Sequence, residues 1–131
     1  MSTDQNKDVV RRFIDEVLVG GNVDVVDELL APNYTNRAMG MDLAAFKAML
    51  TGLAAVLPGR RFDVEDLVAE GDAVVARFTS EMTDATGKAT TVRGMTYYGL
   101  ADGRIVEDDP ITNPDLTQAL GNLMAGTGSA G

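Results

Sequence analysis

The chain has 131 residues, 45% hydrophobic and 24% charged, which is the composition of one folded domain with no room for two ordinary ones. Eleven Lys and Arg against twenty Asp and Glu give a net charge of −9, which argues against nucleic acid or an anionic membrane as partner. Cys and His are both absent, which excludes disulfides, thiolate and imidazole metal sites, a Cys nucleophile and a Ser-His-Asp triad, and leaves acid–base work to carboxylates, tyrosines, lysines or water.

The opening residues Met1 to Lys7 are polar and lack the basic-then-apolar order of a signal peptide. No apolar run approaches the roughly 20 residues of a spanning helix. A cytoplasmic location without membrane contact is therefore expected. In chain order, Val9, Val10, Phe13, Ile14, Val17 and Leu18 recur at helical spacing, with charges between them. Ser2, Thr3 or Asp4 can cap this helix, and Gly20-Gly21 stops it. A short second helix is predicted over Val23–Leu30, with Asn22 as cap and Pro32 as breaker. A third runs from Leu43 to about Leu57, with Asp42 as N-cap and Leu43, Phe46, Leu50, Leu53 and Leu57 as its stripe; Pro58-Gly59 ends it.

The period then changes. Arg61–Ala69, Ala73–Met82, Lys88–Leu100 and Arg104–Asp109 read as strands. Glu70-Gly71-Asp72, Thr83–Gly87 and Ala101-Asp102-Gly103 read as the turns between them, and Pro110 as the stop. A tail helix is predicted over Leu116–Met124. Residues 1–125 form one domain in this reading, and the Gly/Ser-rich residues 126–131 a flexible tail. Three helices followed by a four-stranded antiparallel meander imply an α+β fold: a strongly curved antiparallel sheet, cone-shaped, with the helices closing a cavity on it. Such a cavity is a natural small-molecule site.

The two-residue period sets Val75, Arg77, Thr79 and Glu81 on one face of their strand and Val74, Ala76, Phe78, Ser80 and Met82 on the other. On the next strand Thr91, Arg93, Met95 and Tyr97 oppose Val92, Gly94, Thr96 and Tyr98. A partly polar cavity on one face and a helix-packed core on the other would produce this alternation, and so would a solvated face. Arg77 is then either a cation in the cavity wall or a surface Arg paired with a carboxylate. Asp108 and Asp109 are either a solvated strand end or the source of a desolvated carboxylate. Adjacent strand residues face opposite ways, so only one of them can be that acid/base. The methionines Met39, Met41, Met49, Met82, Met95 and Met124 suit a pliable pocket or an ordinary core.

Several stretches resemble SnoaL-like proteins, of the nuclear-transport-factor-2-like superfamily. They are Phe13 to Val17 with Leu29-Leu30-Ala31-Pro32-Asn33-Tyr34, then Gly71 to Thr79, Gly87 to Tyr98, Asp102 to Asp108, and Leu116 to Gly121. The resemblance spans nearly the whole chain. It implies a cofactor-free and metal-free polyketide cyclase or isomerase acting on an apolar or aromatic carbonyl compound, with an Asp near the end of the last long strand as acid/base. The family's last strand often reads Gly-Lys-Ile-Val-Glu-His-Trp-Asp; here Gly103-Arg104-Ile105-Val106-Glu107-Asp108-Asp109-Pro110 puts a proline where that Asp would fall. A displacement of two keeps the face and favours Asp108, whereas a bulge before Pro110 would favour Asp109. Tyr34, Asn36, Arg77 and Arg93 would position substrate oxygens, with Thr79 and Tyr97 as further pocket groups. Limonene-epoxide-hydrolase-like enzymes give a second comparison. Tyr34-Thr35-Asn36 matches their Tyr-x-Asn, but Thr79 replaces the Asp of their Arg-x-Asp, which leaves epoxide hydrolysis as an alternative. A non-catalytic ligand-binding or dimerisation module is a third reading. The open sheet of this fold implies a homodimer.

Overall fold

The computed structural model describes residues 2–56, 59–115 and 118–119. The first helix, α1 (Thr3–Arg12), starts in a reciprocal cap: Ser2 Oγ accepts from the Gln5 backbone N–H, and Gln5 Oε1 accepts from the Ser2 N–H. It continues as a wider π-helical stretch over Phe13–Val19, whose end donates from Gly20 N–H to the Asp15 carbonyl. The wider winding keeps Phe13, Ile14 and Val17 buried and carries Leu18 and Val19 to the cavity wall. The predicted second helix is shorter than its pattern. A 3₁₀ turn (Val23–Val25) capped by Asn22 leads into one turn of helix, α2 (Val26–Leu29).

Leu30 already belongs to a strand, β1 (Leu30–Asn36), followed by the short β2 (Met41–Asp42). Asp42 Oδ1 then accepts from the Ala45 N–H and starts α3 (Leu43–Val56). The remaining strands are β3 (Gly59–Glu70), β4 (Ala73–Thr83), β5 (Ala89–Ala101) and β6 (Arg104–Asn113). The β5–β6 turn is the expected Asp-Gly pair, with φ of 51° at Asp102 and 78° at Gly103, a conformation that suits glycine and a short polar residue.

Among the described residues the sheet has six strands in the order β2-β1-β6-β5-β4-β3, and β1 runs parallel to β6. The expected four-stranded antiparallel meander is therefore the core of a mixed sheet, extended by β1 and β2. Residues that a helical pattern claimed up to Leu30 open the fifth strand, because Pro32 forbids further helix while β6 offers a free edge. The last strand also continues past Pro110 to Asn113. Pairing with β1 stops at Asp108, so Pro110 sits where β6 has only β5 as neighbour. A missing N–H is tolerated at such an edge.

Helix α1 with its π-helical continuation, α2 and α3 pack on the same concave face. Val10, Phe13, Ile14 and Val17 meet Val26, Leu29, Phe46 and Leu50 over Leu30, Tyr34, Val74, Ala76, Tyr98, Leu100 and Ile105. A second cluster joins Leu53, Met82, Val92 and Ala119. Among the described residues, no helix is long and apolar enough to cross a membrane. Of the predicted tail helix, Gln118 and Ala119 are helical; the rest, like the expected tail at 126–131, lies outside the described residues.

Candidate active site in the concave sheet

The helices leave part of the concave face uncovered, and a cavity of about 100 Å³ opens there. Its wall is mainly apolar: Leu18 and Val19 from the π-helical stretch, Phe46, Met49, Leu50 and Leu53 from α3, and Phe62, Phe78 and Met82 from the sheet. Into this wall project Asn36, Ser80, Thr96, Tyr98 and Asp108, with Arg60 and Arg61 contributed by β3.

Among the described residues lining the cavity, Asp108 is the one carboxylate. Strict alternation from the buried Ile105 would turn Glu107 and Asp109 inward. Instead Gly99 opposes Glu107 and Leu100 opposes Ile105, so Val106 is an extra residue in β6. This bulge changes the parity of every residue after it. Asp108 and Pro110 face the cavity, while Glu107 pairs with exposed Arg37 at 2.7 Å. Because the bulge precedes both aspartates, it leaves Asp108 and Pro110 on one face and does not bring in Asp109.

The Asp108 carboxyl is 5% exposed, and Tyr34 Oη donates a hydrogen bond to its Oδ2 at 2.9 Å. Burial pushes its pKa up to about 7; the Tyr34 bond works against that rise, and the neighbouring Asp109 charge adds to it. Burial, with the Asp108 charge beside them, also drives the Tyr34 and Tyr98 hydroxyls well above the ordinary tyrosine range, so both remain proton donors. Their rings are fixed by aromatic neighbours. Tyr34 lies 5.2 Å from Phe46, and Tyr98 meets Phe13 edge-on at 5.9 Å. Asn36 stands beside Asp108 in the parallel β1–β6 register. Its Oδ1 accepts from the Met39 N–H at 3.0 Å, which orients the amide and leaves its Nδ2 to donate.

The residues expected in the site divide by sheet face. Tyr34, Asn36 and Asp108 come together. Asp109 does not: it opposes Tyr97 in register on the convex face. Arg77, Thr79, Arg93 and Tyr97 are also convex and do not line the cavity. Arg77 forms a close ion pair with Asp66, its cross-strand neighbour. Thr79 Oγ1 donates to Glu65 at 2.8 Å, and Tyr97 is 42% exposed. The physical reason is that core and cavity share the concave face, leaving the convex face to solvent. The charged set of β4 and of β5 therefore marks the outside. Arg60, Arg61, Ser80, Thr96 and Tyr98 line the cavity without standing out as site residues in the sequence. For Ser80, Thr96 and Tyr98 the signal is parity, since each shares a face with the apolar residues of its own strand. Among the described residues no three carboxylates come close enough together to hold a metal ion.

A sequence profile described as the SnoaL-like domain matches residues 10–108. The chain belongs to the SnoaL-like family. Among solved structures, a candidate polyketide cyclase from Acidithiobacillus ferrooxidans is 28% identical, with a TM-score of 0.74 over 94% of this chain and 99% of that one. A candidate SnoaL-like polyketide cyclase from Jannaschia sp. CCS1 is 24% identical, with a TM-score of 0.73 over 90% of each chain. TsrD from Streptomyces laurentii shares the fold with a TM-score of 0.77 at 20% identity, covering 92% of this chain and 98% of its own. No curated protein matches the sequence significantly. These relatives share the α+β, nuclear-transport-factor-2-like arrangement found here.

Proposed function

We propose that this SnoaL-like protein is a cofactor-independent cyclase or isomerase that acts on an apolar carbonyl compound through Asp108. The observation that carries this reading is the Asp108–Tyr34 pair: a buried carboxyl held near neutrality at the wall of an apolar cavity. A general base works best with a pKa near the working pH. With Oδ2 occupied by Tyr34, Oδ1 is the oxygen left to take a proton from the carbon next to a carbonyl. The enolate carbon then attacks a second carbonyl of the same molecule. The new alkoxide recovers the proton from Asp108, so no atom is gained or lost. The Tyr98 hydroxyl and Asn36 Nδ2, which also faces the Tyr34 hydroxyl, are donors at the cavity wall for the enolate oxygen, and the apolar surroundings strengthen both interactions.

The test needs no knowledge of the natural substrate. In heavy water, the wild type should accelerate deuterium uptake next to the carbonyl of 2-tetralone, an apolar bicyclic ketone. Asp108→Asn should remove at least about 100-fold of that acceleration. Exchange undiminished in the variant would rule Asp108 out as the base.

The grouping of Tyr34, Asn36 and Asp108 also favours a second reading, in which these three hold a water that opens an epoxide. Against it, Arg77 and Thr79 lie on the convex face and bring no second carboxylate. Incubation with limonene oxide in oxygen-18 water separates the two, since labelled diol arises only from hydrolysis. We further infer a homodimer through the convex face, where Val68, Met95, Tyr97 and Ile111 stand 65%, 53%, 42% and 76% exposed.

A further inference from the structure

Eight arginines are present, and one of them is placed differently from the rest. Arg12, Arg37, Arg61 and Arg77 are each engaged by a carboxylate, and Arg11, Arg93 and Arg104 are exposed. Arg60 is partly buried and lines the cavity. All twenty Asp and Glu side chains fall among the described residues, and none forms an ion pair with it. Gly21, at φ 66°, leaves the room its guanidinium uses: a Cβ there would stand 2.9 Å from Nη2. Burial depresses its pKa, as expected of a cation that has lost water and gained no counter-charge.

We propose that Arg60 is the anchor for an anionic group, a carboxylate, on the ligand of this cavity. The proposal rests on reading the cavity as a small-molecule site and names the class of molecule it takes: an elongated apolar acid. A guanidinium in a mainly apolar wall is a strong and selective receptor for a planar oxyanion, because its fork matches two carboxylate oxygens. Phe62 and Phe78, stacked at 4.3 Å, and Met82, which opposes Arg60 across β3 and β4, offer the apolar surface next to it. The register separates this anchor from the acid/base. Arg60 opposes Met82 near the end of β4, whereas Asp108 opposes Tyr98, which opposes Val74 near its start. An anion held at Arg60 is thereby kept away from the Asp108 charge, and the part of the ligand beyond it points toward the reacting end. The neighbour Arg61 also borders the cavity but is exposed and bonded to Asp63 at 3.1 Å, so it serves as the control.

Calorimetric titration with 2-naphthoate and with its neutral isostere 2-naphthamide tests this. The solution should be at about pH 6, where the naphthoate is ionised and Asp108 is largely protonated. The wild type should bind the naphthoate about tenfold more tightly than the amide. Arg60→Gln should abolish that preference with amide affinity and melting temperature unchanged, while Arg61→Gln and Asp108→Asn should keep it. Equal affinity for acid and amide, a preference that survives Arg60→Gln, or failure to bind either probe would overturn the proposal. A negative result in the exchange assay with 2-tetralone would instead strike the catalytic reading and leave the acid preference standing.

Discussion

Asp108 carries an energetic cost that the fold tolerates. Its carboxyl titrates near 7 in the folded chain against 3.8 as an ordinary side chain, so the folded state holds the proton more tightly. Stability from this group is complete below about pH 4 and is lost as pH rises through about 7. Asp108→Asn should remove that slope and leave the variant more stable than the wild type at pH 8, by on the order of 4 kcal/mol. Urea unfolding of both proteins at pH 5 and pH 8 checks it; a wild type equally stable at both would refute the burial argument. Tyr34 works in the other direction, since its hydrogen bond favours the ionised carboxylate. Tyr34→Phe should therefore move the pH profile of exchange activity upward by about one pH unit and lower the rate at neutral pH. At this scale the sequence spoke partly. Tyr34-x-Asn36 and the Asp108-Asp109 pair were visible as chemistry. Which aspartate turns inward was decided by one extra residue at Val106, and a bulge leaves no mark in an alternation of apolar and polar types.

Elements set the positions of these groups through their irregularities. The bulge at Val106 turns Asp108 inward, and the π-helical stretch at Phe13–Val19 brings Leu18 and Val19 to the cavity. Close approach of β5 and β6 adds a third constraint. A Cβ on Gly94 would run into the Ile111 carbonyl oxygen and the Thr112 side chain, with no flexible end to move aside. Gly94→Ala should thus cost about 1–3 kcal/mol, read as a lower melting temperature, and should disturb Thr96 two residues on. An unchanged melting temperature would show that the strands can separate at no cost. Helix and strand identities were legible from periodicity, capping residues and the Asp-Gly turn. Periodicity does not give β1, β2 or the end of β6, where the partner strand decides the structure. Leu30 to Asn36 pairs with residues about seventy positions away, and no local pattern reports that.

At the level of the whole molecule, the sheet has two unlike faces. The concave one carries core and cavity together; the convex one carries the Arg77–Asp66 and Thr79–Glu65 contacts beside exposed Val68, Met95, Tyr97 and Ile111. Met95 opposes Ile111, and Tyr97 and Val68 both oppose Val75, so these side chains form adjoining rows of one patch. If two copies join there, the double substitution Met95→Lys with Ile111→Lys should halve the mass measured by light scattering and leave the exchange activity intact. A wild type that is already monomeric would exclude this interface. The alternation does not say which face the helices cover, so the sequence leaves Arg77 open between a pocket cation and a surface Arg paired with a carboxylate, and the Asp66 pair is the second of these. The α+β class and the cavity followed from element order alone, since three amphipathic helices and an antiparallel sheet must cover one another.

One carboxyl in a mainly apolar cavity is poised near neutrality, and its titration can be measured without substrate. Carbon-13 NMR of Asp-labelled protein follows each side-chain carboxyl through a pH titration. One resonance should show a midpoint near 7, absent in Asp108→Asn and shifted upward in Tyr34→Phe. A wild-type Asp108 resonance that titrates in the ordinary carboxylate range near 4 would contradict it.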